Sequence, residues 1–363
     1  MIDSLHQFQD RIEQLIYFFD DAETISAWAS VVVPNGDNCT DIKEVSSNSL
    51  RLRSNKIARK IQTYVSGIIL LYGLFEQYIE EMLIAYLEEI DATISSFDDM
   101  PKKIRENHTN LSAQLLINRD LDKYCDRCNE KDIIQRMHSC MHGGSFRLNS
   151  LAYTDHKSNF RIDPLNSFFE LAGISGMSAL IMKTAVFQKY GSQKFPNQRI
   201  DNLPNNIVFE DLNDLAWRRN VVAHGWPDDT LSNEMMKERA KFIRILGECI
   251  YEALRQNLLT HIIKHQCYTL PRPISVFNNS IVCFHLEEGS FVKGSQIIAS
   301  RTGGYLEGKI LSIEIDHVQY DKVAAPPAVD VALLLNFKAK DNYQYFMRKV
   351  TKGNGSYFDS KRH

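Results

Sequence analysis

An arginine and a histidine five residues apart, Arg219 and His224, have the types and spacing in this sequence to do chemistry. Histidine titrates near neutral pH and can move protons in either direction. Arginine stays charged and grips phosphate with paired donors. Together they meet the needs of phosphodiester cleavage in a strand that carries its own nucleophile, the ribose 2′-hydroxyl. A base takes the 2′-hydroxyl proton, the 2′-oxygen bonds to phosphorus, and an acid protonates the leaving 5′-oxygen. A fixed cation stabilises the pentacoordinate phosphorane between those steps. The chemistry needs no metal, and its product is a 2′,3′-cyclic phosphate.

The element that must position the pair is a helix. Leu212, Leu215, Val222 and Ala223 are spaced for one face of a helix from Phe209 to His224, which stops at Gly225 and Pro227. Five residues of α-helix turn about 500°, so the two side chains start roughly 140° apart. One helix alone does not aim both at one phosphate. The stop places His224 on the last turn, where the chain can deviate and the helix dipole favours an imidazolium. A second copy across a two-fold axis completes such a site more easily, so the expected assembly is a homodimer. The plainer alternative pairs Arg219 with Asp214 or Asp228 and leaves His224 as a helix end.

Around this segment the chain reads as helical first and β-rich last. Leu5, Phe8, Ile12, Leu15, Ile16 and Phe19 have helical spacing, and a loop follows through Pro34 to Asn38. Ser54 is placed to cap a long core helix carrying Ile57, Ile61, Val65, Ile68, Ile69, Tyr72, Phe75, Ile79, Met82, Leu83 and Leu87. Shorter helical pieces fill residues 104–200, and a last long helix runs from Asn233 to Leu259. After Leu270 come short β-type runs at Ile274–Phe277, Ile281–Leu286, Gln296–Ala299, Lys309–Ile315 and Val331–Asn336. The expected architecture is multi-domain, α then β: a helical extension at 1–50, a helical bundle at 51–265, a small β-barrel at 271–340 and a basic, aromatic tail at 341–363.

Composition narrows the setting. With 363 residues, 44% hydrophobic and 24% charged, the chain is long enough for two buried cores. A net charge of −3 rules out a general polyanion binder, so contact with nucleic acid must use local basic patches. No stretch is apolar for the roughly 18 residues of a membrane span, and the N-terminus has no signal-peptide pattern. Seven scattered cysteines fit reduced thiols better than a disulfide framework. The expected location is the cytoplasm, with no membrane contact.

The segment Asp211 to Gly225, with Arg219-Asn220 and then Ala223-His224-Gly225, resembles the Arg-x4–6-His signature of the HEPN superfamily. Leu71 to Glu80 looks like the first core helix of that fold. Ser158-Asn159-Phe160 and Phe168 to Ile174 look like the middle of its RiboL-PSP branch. The resemblance covers roughly residues 50–260. It implies a helical bundle that dimerises and brings two Arg/His pairs into one cleft, as in ribonucleases of phage defence and toxin–antitoxin systems. By that resemblance Arg219 and His224 are catalytic, Asn220 supports them, and Glu76 is a supporting residue behind them. Some HEPN toxins carry a modifiable Tyr two residues after the His. Here Trp226 stands there, so that control is not expected.

Three further patterns bear on binding. Arg51, Arg53, Lys56, Arg59 and Lys60, together with Arg218 beside the signature, are candidate contacts to an RNA backbone; a solvated helix start is the alternative. Cys125, Cys128, His138, Cys140 and His142 have the ligand types for zinc, and the preferred reading is an amphipathic segment with buried thiols. Glu287 to Ile298, Gly308 to Ile313 and Val331 to Leu335 resemble domain II of translational GTPases, although Gly294-Ser295 replaces the usual Gly-Asp and no P-loop is present. That resemblance implies a binding module. The tail carries Lys338, Lys340, Arg348, Lys349, Lys352, Lys361 and Arg362 among Tyr343, Tyr345, Phe346, Tyr357 and Phe358. It is suited to stacking on nucleic acid or to hanging loose. The expectation is a cytoplasmic RNA-cleaving enzyme without cofactors, whose partners are RNA, a second copy of itself and an antitoxin, ribosomal or phage protein. The alternative is a non-catalytic RNA- or ribosome-binding adaptor.

Overall fold

The computed structural model describes residues 1–30 and 40–349. The loop expected at Pro34 to Asn38 lies outside them, as do Lys352, Tyr357, Phe358, Lys361 and Arg362 of the expected tail. Eleven α-helices precede ten strands among the described residues. The helices are α1 (Ile2–Ser30), α2 (Thr40–Ser54), α3 (Lys56–Thr93), α4 (Lys102–Asn118), α5 (Glu130–His142), α6 (Ile162–Glu170), α7 (Met177–Lys183), α8 (Ala185–Lys194), α9 (Asn205–Val208), α10 (Glu210–His224) and α11 (Asn233–Gln266). None is long and apolar enough to cross a membrane.

The helical core forms around α3. Its apolar residues recur at three- and four-residue steps, and Tyr64, Ile68, Leu71, Tyr72, Phe75, Tyr78, Ile79, Met82, Leu83 and Leu87 are all buried. The stripe begins later than the spacing predicts: Ile57 is 77% exposed and Ile69 is 48% exposed. Ser54 does not cap this helix; it ends α2, and its hydroxyl donates to the Arg51 carbonyl at 2.9 Å.

The first helix belongs to this core and is not an appendage. Leu5, Phe8, Ile12, Leu15 and Phe19 of α1 are buried. Phe8 stacks on Tyr78 with ring centroids 4.1 Å apart. Gly67 on α3 makes room for Phe19: a Cβ there would sit 2.6 Å from the ring. Sequence spacing shows that α1 has an apolar face but not what that face meets.

The chain divides into two compact units between Arg255 and Gln256. This lies ahead of the boundary expected at 265, because the last turns of α11 belong with the sheet. Gln256 donates to the Tyr305 carbonyl at 3.1 Å and accepts from its amide at 2.7 Å.

The second unit contains β1 (Cys267–Thr269), β2 (Ser275–Phe277), β3 (Ile281–Leu286), β4 (Gly289–Val292), β5 (Gln296–Arg301), β6 (Gly304–Ile315), β7 (Val318–Tyr320), β8 (Lys322–Ala325), β9 (Val329–Leu335) and β10 (Gln344–Arg348). They form an antiparallel sheet in the order β1-β10-β5-β6-β9-β3-β2, with β7 on β6, and a separate β4-β8 pair. The sheet curls into a half-barrel. Alternate residues of β3, Val282, Phe284 and Leu286, point into its core beside Ile297, Ile313, Leu333 and Tyr345. Residues 344–348 are therefore not part of a loose tail. β10 pairs with both β1 and β5, and the buried Tyr345 hydroxyl donates to the Lys340 carbonyl at 2.8 Å.

Candidate active site

The helix expected from Phe209 to His224 is α10, and it ends at His224. Leu212, Leu215, Ala216 and Val222 are its buried residues. Polar ties set its position as well. Arg218 donates to Asp214 at 2.9 Å and to the Tyr64 hydroxyl of α3 at 2.9 Å. Arg239 of α11 holds Asp211 at 2.6 Å and Asp214 at 2.8 Å. Arg218 is thus a clamp between α10 and α3, not a free contact for a backbone phosphate. Asp214, one partner proposed for Arg219, is held by Arg218 and Arg239.

Arg219 turns elsewhere. Its guanidinium carbon lies 5.6 Å from the centre of the Tyr72 ring on α3, within range of a cation–π contact. The Tyr72 hydroxyl donates to Glu76 at 3.3 Å and accepts from the Phe160 amide at 2.8 Å. Burial raises the Tyr72 pKa, and the nearby Glu76 carboxylate raises it further, so the phenol remains a proton donor. Asn220, one residue on, accepts from Asn159 at 2.5 Å.

These contacts bring in a strip that helical spacing does not reveal. Residues 156–162 pass between α3 and α10: Asn159 bonds Asn220, the Phe160 amide bonds Tyr72, and the Ile162 amide donates to Asn213 at 3.1 Å. At the head of the strip, His156 Nε2 lies 2.9 Å from Glu80 and 3.8 Å from Glu76, while Nδ1 lies 3.1 Å from the Ser158 carbonyl. Lys123 reaches Glu80 at 2.7 Å. Burial alone would raise the Glu80 pKa, but the hydrogen bonds from His156 and Lys123 outweigh it and hold the carboxyl below its usual range. Tyr72, His156, Asn159 and Glu80 are the residues that sequence reasoning missed as site components. The only local signal was the four-residue spacing of Tyr72, Glu76 and Glu80 on one helix face.

His224 stands apart. It is the last residue of α10 and is exposed, and Trp226 beyond it is 67% exposed. Among the described residues, no hydrogen bond or ion pair joins Arg219 to His224. The geometry agrees with the helical rotation: the arginine lies half-buried against Tyr72 and the histidine is exposed.

The other candidates separate. Cys140 is buried, with Sγ 3.8 Å from His108 Nε2, whereas His138 and His142 stack on each other on the exposed side of α5, rings 3.9 Å apart. Cys125 is exposed, ahead of α5. The five do not converge, because α5 turns Cys140 inward and the two histidines outward. Among the described residues, no group of three His, Cys, Asp or Glu side chains is placed to hold a metal. In the basic cluster, Arg51, Arg53, Lys56 and Lys60 are exposed, while the end of the Arg59 side chain turns inward.

The family described as RiboL-PSP-HEPN matches residues 39–256. The match takes in α3, α10 and the strip between them, and it stops short of the half-barrel. No curated protein matches the chain.

Proposed function

The chain belongs to the RiboL-PSP-HEPN family, and from that premise we propose that it is a metal-independent endoribonuclease with Arg219 and His224 as its catalytic pair. The observation that carries this reading is the seating of Arg219. It lies on Tyr72 beside an Asn220 held by Asn159, where α3, α10 and the 156–162 strip meet.

In this mechanism Arg219 binds a non-bridging phosphate oxygen and neutralises the charge that grows on the phosphorane. His224 transfers the proton. As a neutral base it takes the 2′-hydroxyl proton; as the resulting acid it, or its copy on a second protomer, returns one to the 5′-oxygen. Asn220 orients the scissile group, and Glu76 acts through the Tyr72 hydroxyl to hold the surface on which Arg219 rests.

The separation of the two side chains on one helix favours a homodimer in which each cleft uses both copies. α3 offers a surface for it: Gln62, Ser66, Ile69 and Gly73 fall on one exposed stripe next to Glu76, and a Cβ at Gly73 would meet nothing within 4 Å. The exposed Arg51, Arg53, Lys56 and Lys60 are a path for the RNA backbone. The half-barrel is a binding module that selects the RNA or meets a ribosomal or phage protein. The biological setting proposed is cytoplasmic: growth arrest in anti-phage defence, or a toxin restrained by an antitoxin, with tRNA among the RNAs cleaved.

The test is cleavage of total RNA, and of tRNA, by purified wild type, Arg219→Ala and His224→Ala, with the product ends analysed. The expected result is cleavage to 2′,3′-cyclic phosphates by wild type only, unchanged by chelators. RNA binding without cleavage by all three proteins would instead establish the adaptor reading.

A further inference from the structure

His156 stands beside the candidate site with no ring nitrogen free for proton transfer. Nε2 lies 2.9 Å from Glu80, and Nδ1 lies 3.1 Å from the Ser158 carbonyl. The ring packs on Phe160, with centroids 4.4 Å apart, and meets Phe168 of α6 edge-on at 5.9 Å. Only 16% of the side chain is exposed. An imidazole engaged at both nitrogens does not exchange a proton with a substrate.

The groups around the ring explain why a histidine occupies this position. A carboxylate and a carbonyl are both acceptors, so one side chain joins them only by donating at two points. A doubly protonated ring does this from a flat, rigid frame that also packs on aromatic rings. An amide side chain carries its donors on a single nitrogen. The charges facing the ring come from two elements. Glu76 and Glu80 of α3 lie 3.8 and 2.9 Å from Nε2. Lys123, from the connection between α4 and α5, lies 2.7 Å from Glu80 and donates to the Thr154 carbonyl at 2.7 Å. α6 contributes the uncharged Phe168.

We propose that His156 is a positioning residue that latches the 156–162 strip to α3 and thereby holds the seat of Arg219. The path is short. Ser158, held by the ring, directly precedes Asn159, which bonds Asn220. The next amide, that of Phe160, donates to the Tyr72 hydroxyl at 2.8 Å, and Arg219 rests on the Tyr72 ring. The far end of the strip is fixed separately, by the Ile162 amide on Asn213. His156 anchors the near end. Without it, Asn159 and the Phe160 amide are held only by the bonds they make themselves. The consequence for cleavage rests on the nuclease reading; the latch itself does not.

The experiment is hydrogen exchange of the full chain, read at the Phe160 amide, together with RNA cleavage kinetics, for wild type, His156→Ala and His156→Gln. In His156→Ala, exchange at Phe160 should speed up at least about tenfold, the scale of losing a hydrogen bond to a charged group, while amides of α4 keep wild-type rates. Cleavage should fall about tenfold through kcat, with KM changed by less than about twofold. His156→Gln, which keeps a donor for Glu80 but not a second one for Ser158, should lie between the two. A residue serving stability alone would speed exchange in α4 as well and leave kcat unchanged. Unchanged exchange at Phe160 in His156→Ala overturns the latch. Faster exchange with kcat unchanged overturns its role in seating Arg219. If His156→Ala does not fold, His156→Gln is judged by the same two readings. Absence of cleavage by wild type removes the nuclease reading instead, and exchange at Phe160 still decides the latch.

Discussion

Two segments of this protein are rich in reactive side chains, and the fold treats them in opposite ways. Around Arg219, side chains from α3, α10 and the 156–162 strip converge: Tyr72, Glu76, Asn159, Asn220 and His156 are linked within two or three contacts. Between Cys125 and His142 the potential metal ligands disperse, with Cys140 in the core against His108 of α4 and with His138 and His142 in solvent. Ligand-type residues close in sequence do not make a site unless other elements bring partners to them. On an isolated helix most neighbours point in different directions.

The sharpest test is to remove the two side chains proposed to be catalytic, the convergent Arg219 and the exposed His224. Arg219→Ala and His224→Ala should each lower single-turnover RNA cleavage by at least about 10³-fold, the scale of losing a proton-transfer group or the main charge stabiliser. Their melting temperatures should stay near that of wild type. Loss of less than about tenfold in both would remove Arg219 and His224 from the chemistry.

The next effect belongs to His108, the core residue on α4 that Cys140 packs against, and is one of stability. Burial depresses the His108 pKa to about 4, and Nε2 accepts from the Asn149 amide at 3.1 Å, so the folded protein keeps this imidazole neutral. The unfolded chain takes up a proton below about pH 6.5, which the folded chain does not do until about pH 4. The stabilisation is therefore complete above pH 6.5 and is lost as pH falls between those values, to the extent of about 2–3 kcal/mol. Denaturant melts from pH 7.5 to 4 should show this decline, and His108→Gln should flatten it.

Asn159→Ala tests whether the strip positions the site. With one neutral hydrogen bond to Asn220 removed, cleavage should fall about tenfold through kcat, with KM little changed. A change in KM alone would make Asn159 a substrate contact instead.

Asp91 gives a smaller effect of opposite sign. Burial raises its pKa to about 6, Oδ2 accepts only a long bond of 3.4 Å from the Leu148 amide, and Oδ1 has no partner. Its folded-state pKa lies above the unfolded value of 3.8, so its contribution is most favourable below pH 3.8 and is lost as pH rises through 6. Asp91→Asn should therefore stabilise the protein by about 1 kcal/mol at pH 8 and by less at pH 5, measured by chemical denaturation. Least of all, Cys125→Ser with Cys128→Ser should leave both activity and melting temperature unchanged. A metal stoichiometry near one in the wild type would contradict the dispersed reading.

The sequence by itself determined much of this. The 3.6-residue period of apolar residues in α1, α3, α10 and α11, and the alternation in β3 and β9, specify the elements and their order because burial of one face is a local, periodic demand. The Gly225-Trp226-Pro227 stop placed His224 at a helix end, and the rotation between residues 219 and 224 already separated the pair. Local pattern does not say which elements meet. That α1 packs into the core on Gly67, that α10 is clamped to α3 through Arg218 and Tyr64, and that Asn159 and Tyr72 flank the signature were decided by tertiary packing. So was the inward turn of Arg59, one of five apparently equivalent basic residues in the sequence. Such contacts, between residues far apart in the chain, leave no periodic trace, since each is a single pairing made when the elements dock.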